Sequence, residues 1–236
     1  MRLILCNLLK PMGPEKGALS AKSQPKTWKQ NPEAVKKNIL EVSAAEFSER
    51  GYDGARINHI AELTATSKRM LYYYFGDKRG LYRATLLNAY ENAKAMDHDV
   101  AVDELSATEA LRQLVAKTFE NCLALDGFTR LVAGENLRRG ECVEQLSEFR
   151  QINRPTLDLI RKVYARGVET GEFRSGVDPL ALLWFVLAPA TFNVSNQHTF
   201  SAAWGDQLRT TSGQKMLCDM AVRSVLSLVV EGSENE

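Results

Sequence analysis

The segment 68–75 combines two basic residues with three consecutive tyrosines, a combination suited to contact with nucleic acid. Lys68 and Arg69 stand at its beginning, and such side chains can donate two hydrogen bonds to the O6 and N7 atoms of guanine. Consecutive residues of a helix point about 100° apart, so the three tyrosines cannot all be buried in one core. This chemistry favours contact with DNA, with an ordinary amphipathic helix as the alternative.

The surrounding residues predict a short helix on each side of a tight turn. Before the turn, apolar residues recur with the spacing of one helical face, at Ile57, Ile60, Ala61 and Thr64. Three small or polar residues follow, and the hydroxyls of Thr66 and Ser67 can accept hydrogen bonds from the free N–H groups of a new helix. Gly76 is typical of that helix's end. Two short helices joined in this way form a helix-turn-helix, whose second helix enters the major groove of DNA.

Residues 32–83 are predicted to form a three-helix domain that carries this motif. The first helix is expected over residues 32–50, with Asn31 as its N-cap and Gly51 at its end. It should pack across the two short helices. A fourth helix, expected over residues 77–98, would lead into the rest of the chain.

The rest of the chain, residues 84–236, is predicted to be an all-helical second domain. Periodicity interrupted by glycine and proline predicts helices over residues 107–125, 128–139, 141–170, 180–196 and 207–230. No alternating strand pattern occurs, so the predicted fold class is all-α. Helix 180–196 is apolar on nearly every side, and the last helix has an apolar side formed by Leu217, Val225, Leu228 and Val229.

The net charge of +1 conceals an asymmetry between the two ends of the chain. Residues 1–90 hold 15 Lys and Arg against 8 Asp and Glu, whereas residues 91–236 hold 15 against 21. A basic front indicates that this part meets a polyanion such as double-stranded DNA.

Residues 1–31 are predicted to be a disordered basic tail. Proline, glycine and lysine interrupt every apolar pattern there, and a basic arm that lies along a DNA groove is the alternative. The sequence leaves open whether translation starts at Met1 or at Met12.

The composition predicts a cytoplasmic protein without a membrane segment. Hydrophobic residues make up 44% of the chain, yet no apolar run reaches the roughly 18 residues that a spanning helix needs. The four cysteines include no CxxC pair, which favours free thiols over a zinc site or disulfides. No HExxH, GxSxG or GxxxxGK motif occurs. We therefore expect no enzyme activity, no cofactor and no metal site.

The N-terminal motifs resemble the DNA-binding domain of the TetR family of bacterial transcriptional repressors. The resemblance covers residues 36–83 and rests on Ile39, Leu40, Ala44, Phe47, Gly51, Tyr52, Ile60, Ala61, Ser67, Lys68, Leu71, Tyr72, Tyr74, Phe75, Lys78 and Leu81. Two residues depart from the family pattern, which often has glycine in place of Ala65 and a small residue in place of Arg69. The first departure implies a turn without positive φ or a modest strain, and the second a change in the bases that are read.

The resemblance implies which residues contact DNA. Base contacts fall to Lys68, Arg69 and Tyr72. The other expected DNA-binding residues, which would hold mainly the phosphate backbone, are Arg56, Asn58, Thr66, Ser67, Tyr73, Tyr74 and Lys78.

A weaker resemblance to the ligand-sensing half of the same family covers residues 171–174, 178–179 and 196–200. It implies a homodimer built by the helices at about 179–197 and 207–230, with one ligand pocket in each protomer. We expect the pocket between the end of the fourth helix and the inner face of helix 180–196, lined by Tyr90, Trp184, Phe192, Asn193 and Asn196. Aromatic walls with a few amides suit a small, partly polar organic effector, whose identity the sequence does not give.

The expected function is that of a ligand-responsive transcriptional regulator. It would act as a repressor that binds a palindromic operator as a homodimer and is released by a small-molecule effector. The alternative is a sequence-nonspecific DNA-binding or architectural protein that relies on the basic front alone. Basic residues at the start of a helix favour the first of these, and an enzyme on the same scaffold has no catalytic motif to support it.

Overall fold

The computed structural model describes residues 31–95 and 101–230, and every regular element in those ranges is helical. In chain order the helices are α1 (Pro32–Gly54), α2 (Ile57–Leu63), α3 (Lys68–Phe75), α4 (Lys78–Ala95), α5 (Ala107–Ala124), α6 (Asp126–Leu137), α7 (Phe149–Glu169), α8 (Pro179–Ser195), α9 (Gln197–Trp204) and α10 (Thr211–Ser227). The prediction of an all-α fold is confirmed. The predicted tail, except for residue 31, lies outside the described residues, as do residues 96–98 of the predicted fourth helix.

Helix α1 supports the helix-turn-helix. Asn31 caps it by accepting a hydrogen bond of 3.0 Å from the N–H of Ala34. Ile39 and Phe47 are buried in a cluster that also includes residues of α2, α3 and α4. At Gly51 the φ angle is +66°, so the regular helix is interrupted where its end was predicted, although one more turn follows.

A second buried cluster fills the C-terminal domain around α5. This helix packs against α7, α8 and α10 and buries Leu111, Val115 and Phe119. The N-terminal cluster is not confined to residues before 83, because it also includes Leu86 of α4 and Leu131 of α6. The boundary between the two domains at residue 83 therefore stays a prediction, and α4 and α6 join them physically.

The prediction of one helix over residues 141–170 is wrong at its beginning. Helix α7 starts at Phe149, and the preceding residues form turns that include a 3₁₀ turn at Val143–Gln145. Gln145 accepts a hydrogen bond of 2.8 Å from Arg79 of α4, so a tertiary contact holds this segment in a non-helical form. Pro155 lies inside α7 near its start and does not end it.

Helix α9 was not predicted, and the last helix is shorter than predicted. A 3₁₀ turn at Gln207–Arg209 precedes α10. Thr210 caps α10, since its Oγ1 accepts a hydrogen bond of 3.1 Å from the N–H of Gly213. Within the described ranges no single helix is long and apolar enough to cross a membrane, although α8 and α9 meet that criterion as a pair that is bent by 68°.

The apolar side predicted for the last helix faces the inside of its own domain. Its members are Leu217, Val225, Leu228 and Val229. All four lie in or against the core around α5, and Val229 is 0% exposed. This apolar side therefore packs mainly within its own protomer, and its contact with a partner stays a prediction. The outward face of α10 carries Met216 and Met220, which are about half exposed.

The segment around Glu172 ties distant helices together. Its carboxylate accepts hydrogen bonds of 3.0 and 2.8 Å from the N–H groups of Ala107 and Thr108, which are free donors at the start of α5. The bond from Thr108 is the largest cause that lowers the pKa of Glu172 to about 2. Arg174 then donates its backbone N–H to the carbonyl of Val229, beyond the end of α10, at 2.7 Å. The segment 171–174 thus belongs to the scaffold of the second domain.

Candidate DNA-binding surface and ligand cavity

Local hydrogen bonds fix the turn between α2 and α3. Ser67 Oγ accepts a bond of 3.2 Å from the N–H of Met70, which confirms Ser67 as the N-cap of α3. Thr66 donates its hydroxyl to the Thr64 carbonyl at 3.1 Å. Ala65 has a φ angle of +49°, a left-handed conformation that costs an L-residue about 1 to 2 kcal/mol. Of the two expectations for Ala65, the strained turn is the one observed.

A buried carboxylate orients α2 against α1. Glu46 is 5% exposed, accepts a hydrogen bond of 3.0 Å from the N–H of Arg56, and lies 2.7 Å from Nδ1 of His59. Arg50 adds an ion pair at 3.3 Å. Burial alone would raise the pKa of Glu46, but these hydrogen bonds and the nearby positive charge lower it below its ordinary value. The charged carboxylate therefore holds the first helix of the motif in place.

Helix α3 is anchored by Leu71, its one buried side chain, with Tyr74 and Phe75 packed partly against the same core, and it presents its basic residues and Tyr73 to solvent. Leu71 is 1% exposed, whereas Tyr73 is 76% exposed. Lys68 and Arg69 are both exposed in the first turn, and no hydrogen bond or ion pair joins Arg69 to another described residue. The Lys68 ammonium lies 5.6 Å from the centre of the Tyr72 ring. The expected base-reading residues thus share an open surface at the start of α3.

The three tyrosines divide as their helical spacing requires. Tyr72 and Tyr73 are exposed, while Tyr74 is half-buried and packs against the N-terminal core. The rings of Tyr73 and Tyr74 meet edge to face at 5.4 Å, and the Lys36 ammonium lies 5.7 Å from the Tyr74 ring. Tyr74 therefore positions its neighbour as well as bordering the surface.

The other expected DNA-backbone residues surround α3. Arg56 and Asn58 are exposed at the start of α2. Lys78, at the start of α4, donates a hydrogen bond of 3.1 Å to the carbonyl of Asp53. An ammonium group has three donors, so two stay available for a phosphate oxygen.

Two arginines of α4 bind the C-terminal domain. Arg79 donates to Gln145 Oε1 at 2.8 Å and forms an ion pair with Glu141 at 3.5 Å. Arg83 donates to the Gln145 carbonyl at 3.1 Å. Sequence reasoning missed this junction because Gln145 lies 66 residues from Arg79 and carries no motif.

Helix α6 completes the junction with a cation and a buried carboxylate. The Arg138 guanidinium lies 4.1 Å from the centre of the Tyr52 ring and 3.4 Å from the Asp53 carboxylate. Glu135 is 3% exposed and accepts a hydrogen bond of 2.6 Å from the N–H of Cys142. Burial, followed by the charge of Glu135, raises the pKa of the Cys142 thiol to about 11. That thiol is therefore unreactive at neutral pH.

Three of the five residues predicted to line a ligand pocket do share a cavity. Phe192, Asn193 and Asn196 line a space of about 180 Å³ at the end of α8. The cavity lies among α8, α9 and α10, with Phe119 of α5 also contributing, and it is open to solvent on one side. It therefore lies on the α10 side of α8.

Tyr90 and Trp184 are not part of this cavity. The Tyr90 ring packs edge to face against Phe128 at 5.0 Å and Phe149 at 4.8 Å, so it joins α4 to α6 and α7. Trp184 is 73% exposed on the outer side of α8. Tyr90 and Trp184 therefore lie apart from this cavity, and their part in ligand binding stays a prediction.

The outer sides of α8 and α10 expose an unusual number of large apolar side chains. This surface, called the outer face below, comprises Leu180, Trp184, Phe185, Leu187, Phe192, Met216 and Met220. The two helices pack against each other, so their exposed sides adjoin. Among the described residues, no group of three His, Cys, Asp or Glu side chains could hold a metal ion.

Two family models match the chain in succession. The model described as "Bacterial regulatory proteins, tetR family" matches residues 39–85. The model described as "Tetracyclin repressor-like, C-terminal domain" matches residues 108–225, which is half of the chain. The chain belongs to the TetR family of bacterial transcriptional regulators. It is a DNA-binding regulator, and its family membership confirms that it is not an enzyme.

Named relatives match this TetR-family regulator over most of their length. The HTH-type transcriptional repressor NicS of Pseudomonas putida is 28% identical over 173 residues, which cover 73% of this chain and 82% of NicS. The HTH-type transcriptional regulator RutR of Escherichia coli is 26% identical over 203 residues, which cover 84% and 90% of the two chains.

Solved structures confirm the fold of this TetR-family regulator. The putative regulator SCO4942 of Streptomyces coelicolor superposes with a TM-score of 0.63 at 19% identity, over 83% of this chain and 98% of the other. The regulator FadR of Bacillus subtilis, solved in complex with stearoyl-CoA, superposes with a TM-score of 0.59 at 16% identity, over 81% and 97%. At these identities the similarity concerns the fold alone.

Proposed function

We propose that this regulator is a repressor that binds a palindromic operator as a homodimer and leaves it when a small-molecule effector binds. The observation that carries the proposal is the open surface at the start of α3, where Lys68 and Arg69 are exposed while Leu71 anchors the helix. The match to NicS, which is named a repressor, supports repression. Because a repressor acts at the chromosome of a bacterium, we place the protein in the cytoplasm.

The contacts to DNA follow from the chemistry of that surface. Arg69 can donate two parallel hydrogen bonds to one guanine, and Lys68 can reach the same groove. Tyr73 and Lys78 flank these residues and suit the phosphate backbone, which fixes register without reading sequence. The Ser67 cap of α3 and the hydrogen bond from Arg56 to Glu46 fix the two helices of the motif in the arrangement that this readout needs.

Dimerisation through the outer face explains how two short recognition helices reach one operator. Monomers rarely expose contiguous apolar patches larger than several hundred Å², and this face includes Trp184, Phe185 and Phe192. A second copy related by a twofold axis would cover this face, and the same twofold symmetry is present in a palindromic operator. The two copies of α3 would then occupy half-sites about one helical turn, ~34–36 Å, apart.

Release by a small molecule requires a site in the C-terminal domain and a connection to α3. The cavity at the end of α8 provides space, and FadR, which shares the fold, was solved with stearoyl-CoA bound. The junction formed by Arg79, Arg83 and Arg138 fixes the DNA-binding domain to α6 and the 3₁₀ turn that follows it. A shift in the packing of the second domain would be passed through these contacts to α3.

A footprint on the DNA upstream of the regulator's own gene tests the proposal. We expect protection of two half-sites with centres about 10 base pairs apart. At physiological salt the operator should bind at least about 10³-fold more tightly than random DNA. Equal affinity for both DNAs at every salt concentration would favour the alternative, a sequence-nonspecific or architectural protein.

A further inference from the structure

The cavity at the end of α8 has walls from separate parts of the C-terminal domain. Phe119 comes from α5, Pro189 and Phe192 from α8, Phe200 from α9 and Leu217 from α10. The rings of Phe192 and Phe200 meet nearly at right angles, with their centres 6.5 Å apart. Such walls favour an apolar, flat molecule over a bare ion.

Two of the polar residues that line this largely apolar cavity, Asn193 and Gln214, form a reciprocal pair of amides. Asn193 donates its Nδ2 to Gln214 Oε1 at 2.6 Å, and Gln214 Nε2 donates to Asn193 Oδ1 at 3.2 Å and to the Leu208 carbonyl at 2.7 Å. An amide carries two N–H donors and an oxygen with two lone pairs. Gln214 therefore uses both of its donors, whereas Asn193 keeps one N–H and one lone pair.

The charge at the cavity is balanced within the protein. Among the described residues that line it, Arg209 is the one that carries a charge, and its guanidinium lies 3.3 Å from the carboxylate of Asp206. An anionic ligand would have to compete with that carboxylate for the cation. A ligand with several phosphates would meet no further positive charge in the lining.

The size of the cavity suits a ligand portion of about one ring. A protein cavity of roughly 150 Å³ with apolar walls holds benzene, and the space at the end of α8 is about 180 Å³. The difference leaves room for one small substituent.

We propose that this cavity binds a neutral, single-ring aromatic molecule with one hydrogen-bonding substituent, such as a carboxamide, which Asn193 recognises. The assignment of this ligand class to the effector rests on the proposed function. Asn193 belongs to α8 and Gln214 to α10, so the ligand contacts a link between the two helices of the outer face. Occupancy of the cavity would therefore be coupled to the geometry of the dimer.

Three small probes of equal ring size test the ligand class on the purified full-length protein. Benzamide carries the donor and acceptor that Asn193 can pair with, toluene carries neither, and benzoate adds a negative charge. We expect ligand-observed NMR titrations to show benzamide binding about fivefold to tenfold more tightly than toluene, the gain of one or two hydrogen bonds. Benzoate should bind at least tenfold more weakly than benzamide.

Two variants locate the binding. Leu217→Phe should fill the cavity and weaken all aromatic binding at least tenfold. Asn193→Leu should abolish the preference for benzamide over toluene while toluene still binds. The ratio of benzamide affinity to toluene affinity is measured within a single sample of Asn193→Leu. It therefore tests the proposal even if Leu217→Phe folds poorly. Asn136→Leu is the matched control, because Asn136 is an exposed amide on α6 outside the cavity, and it should leave every affinity unchanged.

The outcomes separate this inference from the proposed function. Equal affinities for benzamide and benzoate, no binding of any probe, or an unchanged probe preference in Asn193→Leu would each overturn the ligand assignment. Operator binding is measured on the same protein samples without a probe. Absence of operator binding in the wild-type protein would count against the proposed function and not against the ligand assignment. Benzamide binding that weakens the operator complex in the wild type, and not in Asn193→Leu, would support both.

Discussion

The start of α3 and the cavity at the end of α8 both offer polar groups to a partner, but they are assembled differently. At α3 the proposed base-reading side chains belong to one helix of 8 residues, whose one buried residue is Leu71. The cavity takes its lining from α5, α8, α9 and α10, between Phe119 and Leu217. A surface built by one helix can change its side chains without changing the fold, whereas a cavity between helices cannot.

The same difference separates the roles of charge in the two regions. Arg69 has no described partner in the protein, so its charge is available to DNA. Arg209 at the cavity is paired with Asp206, and Arg174 donates its side chain to the Leu228 carbonyl at 2.9 Å. The free charge at α3 therefore suits an external partner, whereas the bound cations of the second domain serve its own scaffold. Four predictions test this comparison.

The largest effect is expected from a charge placed on the outer face. Trp184→Glu puts a carboxylate among apolar residues that we propose meet their copies in the partner protomer. Loss of a central aromatic residue typically costs 2 kcal/mol or more, roughly a 30-fold loss of affinity, and burial of the charge adds to it. We expect monomers in sedimentation velocity and a loss of operator binding, with helical content retained.

Leu137→Glu is the matched control for that variant. Leu137 is 88% exposed at the end of α6, away from the outer face, so the same change in charge there should leave the dimer intact. A dimeric Trp184→Glu protein that still binds its operator would place the interface elsewhere.

Arg69→Ala should weaken operator binding by about 1 to 3 kcal/mol and relax the preference at one base pair. The reason is the loss of two hydrogen bonds to a base edge without any change in the core. Binding to single-base operator variants measures both effects. Arg161→Ala, which removes an exposed arginine of α7, should change neither. If operator and random DNA weaken equally in Arg69→Ala, the side chain holds phosphate and does not read bases.

Glu172→Gln tests the scaffold that the second domain needs and the first does not. It removes the charge that satisfies two N–H groups at the start of α5, which we expect to lower the free energy of unfolding at pH 7 by about 1 kcal/mol. The pKa in the folded protein is lowered from 4.5 to about 2, so this stabilisation is complete above pH 4.5 and lost as the pH falls through 2. The difference between variant and wild type, measured by urea unfolding, should shrink over that range. A difference that persists at pH 2 would assign the effect to something other than the carboxylate charge.

The smallest effect is expected at the turn of the helix-turn-helix. Ala65→Gly removes a left-handed backbone strain of about 1 to 2 kcal/mol from the folded state. The added conformational freedom of glycine stabilises the unfolded chain and offsets about 0.5 to 1 kcal/mol of that gain. We expect a gain of about 0.5 kcal/mol in unfolding free energy with operator affinity unchanged. Ala203→Gly, at an exposed position of α9, is the control and should destabilise the protein instead. A loss of stability in Ala65→Gly would show that the strain is compensated within the turn.

The sequence determined the parts of this protein that depend on neighbours close along the chain. The helical class, the cap at Ser67 and the exposure of at least one of the three tyrosines all follow from residue types and their spacing. A cap satisfies N–H groups two or three residues away, and a helical face repeats within one turn. Such short-range chemistry is fully present in the local sequence.

Only the tertiary structure decided the junction between domains and the position of the cavity. Gln145 holds Arg79 across 66 residues, and the turn around it replaced a predicted helix. In the sequence, Tyr90 and Phe192 were equally good aromatic candidates for the lining of a ligand pocket. In the structure, Tyr90 packs against Phe128 and Phe149, whereas Phe192 lines the cavity. Periodicity shows that a residue is buried or exposed on its own helix, and it does not show which other helix lies against it.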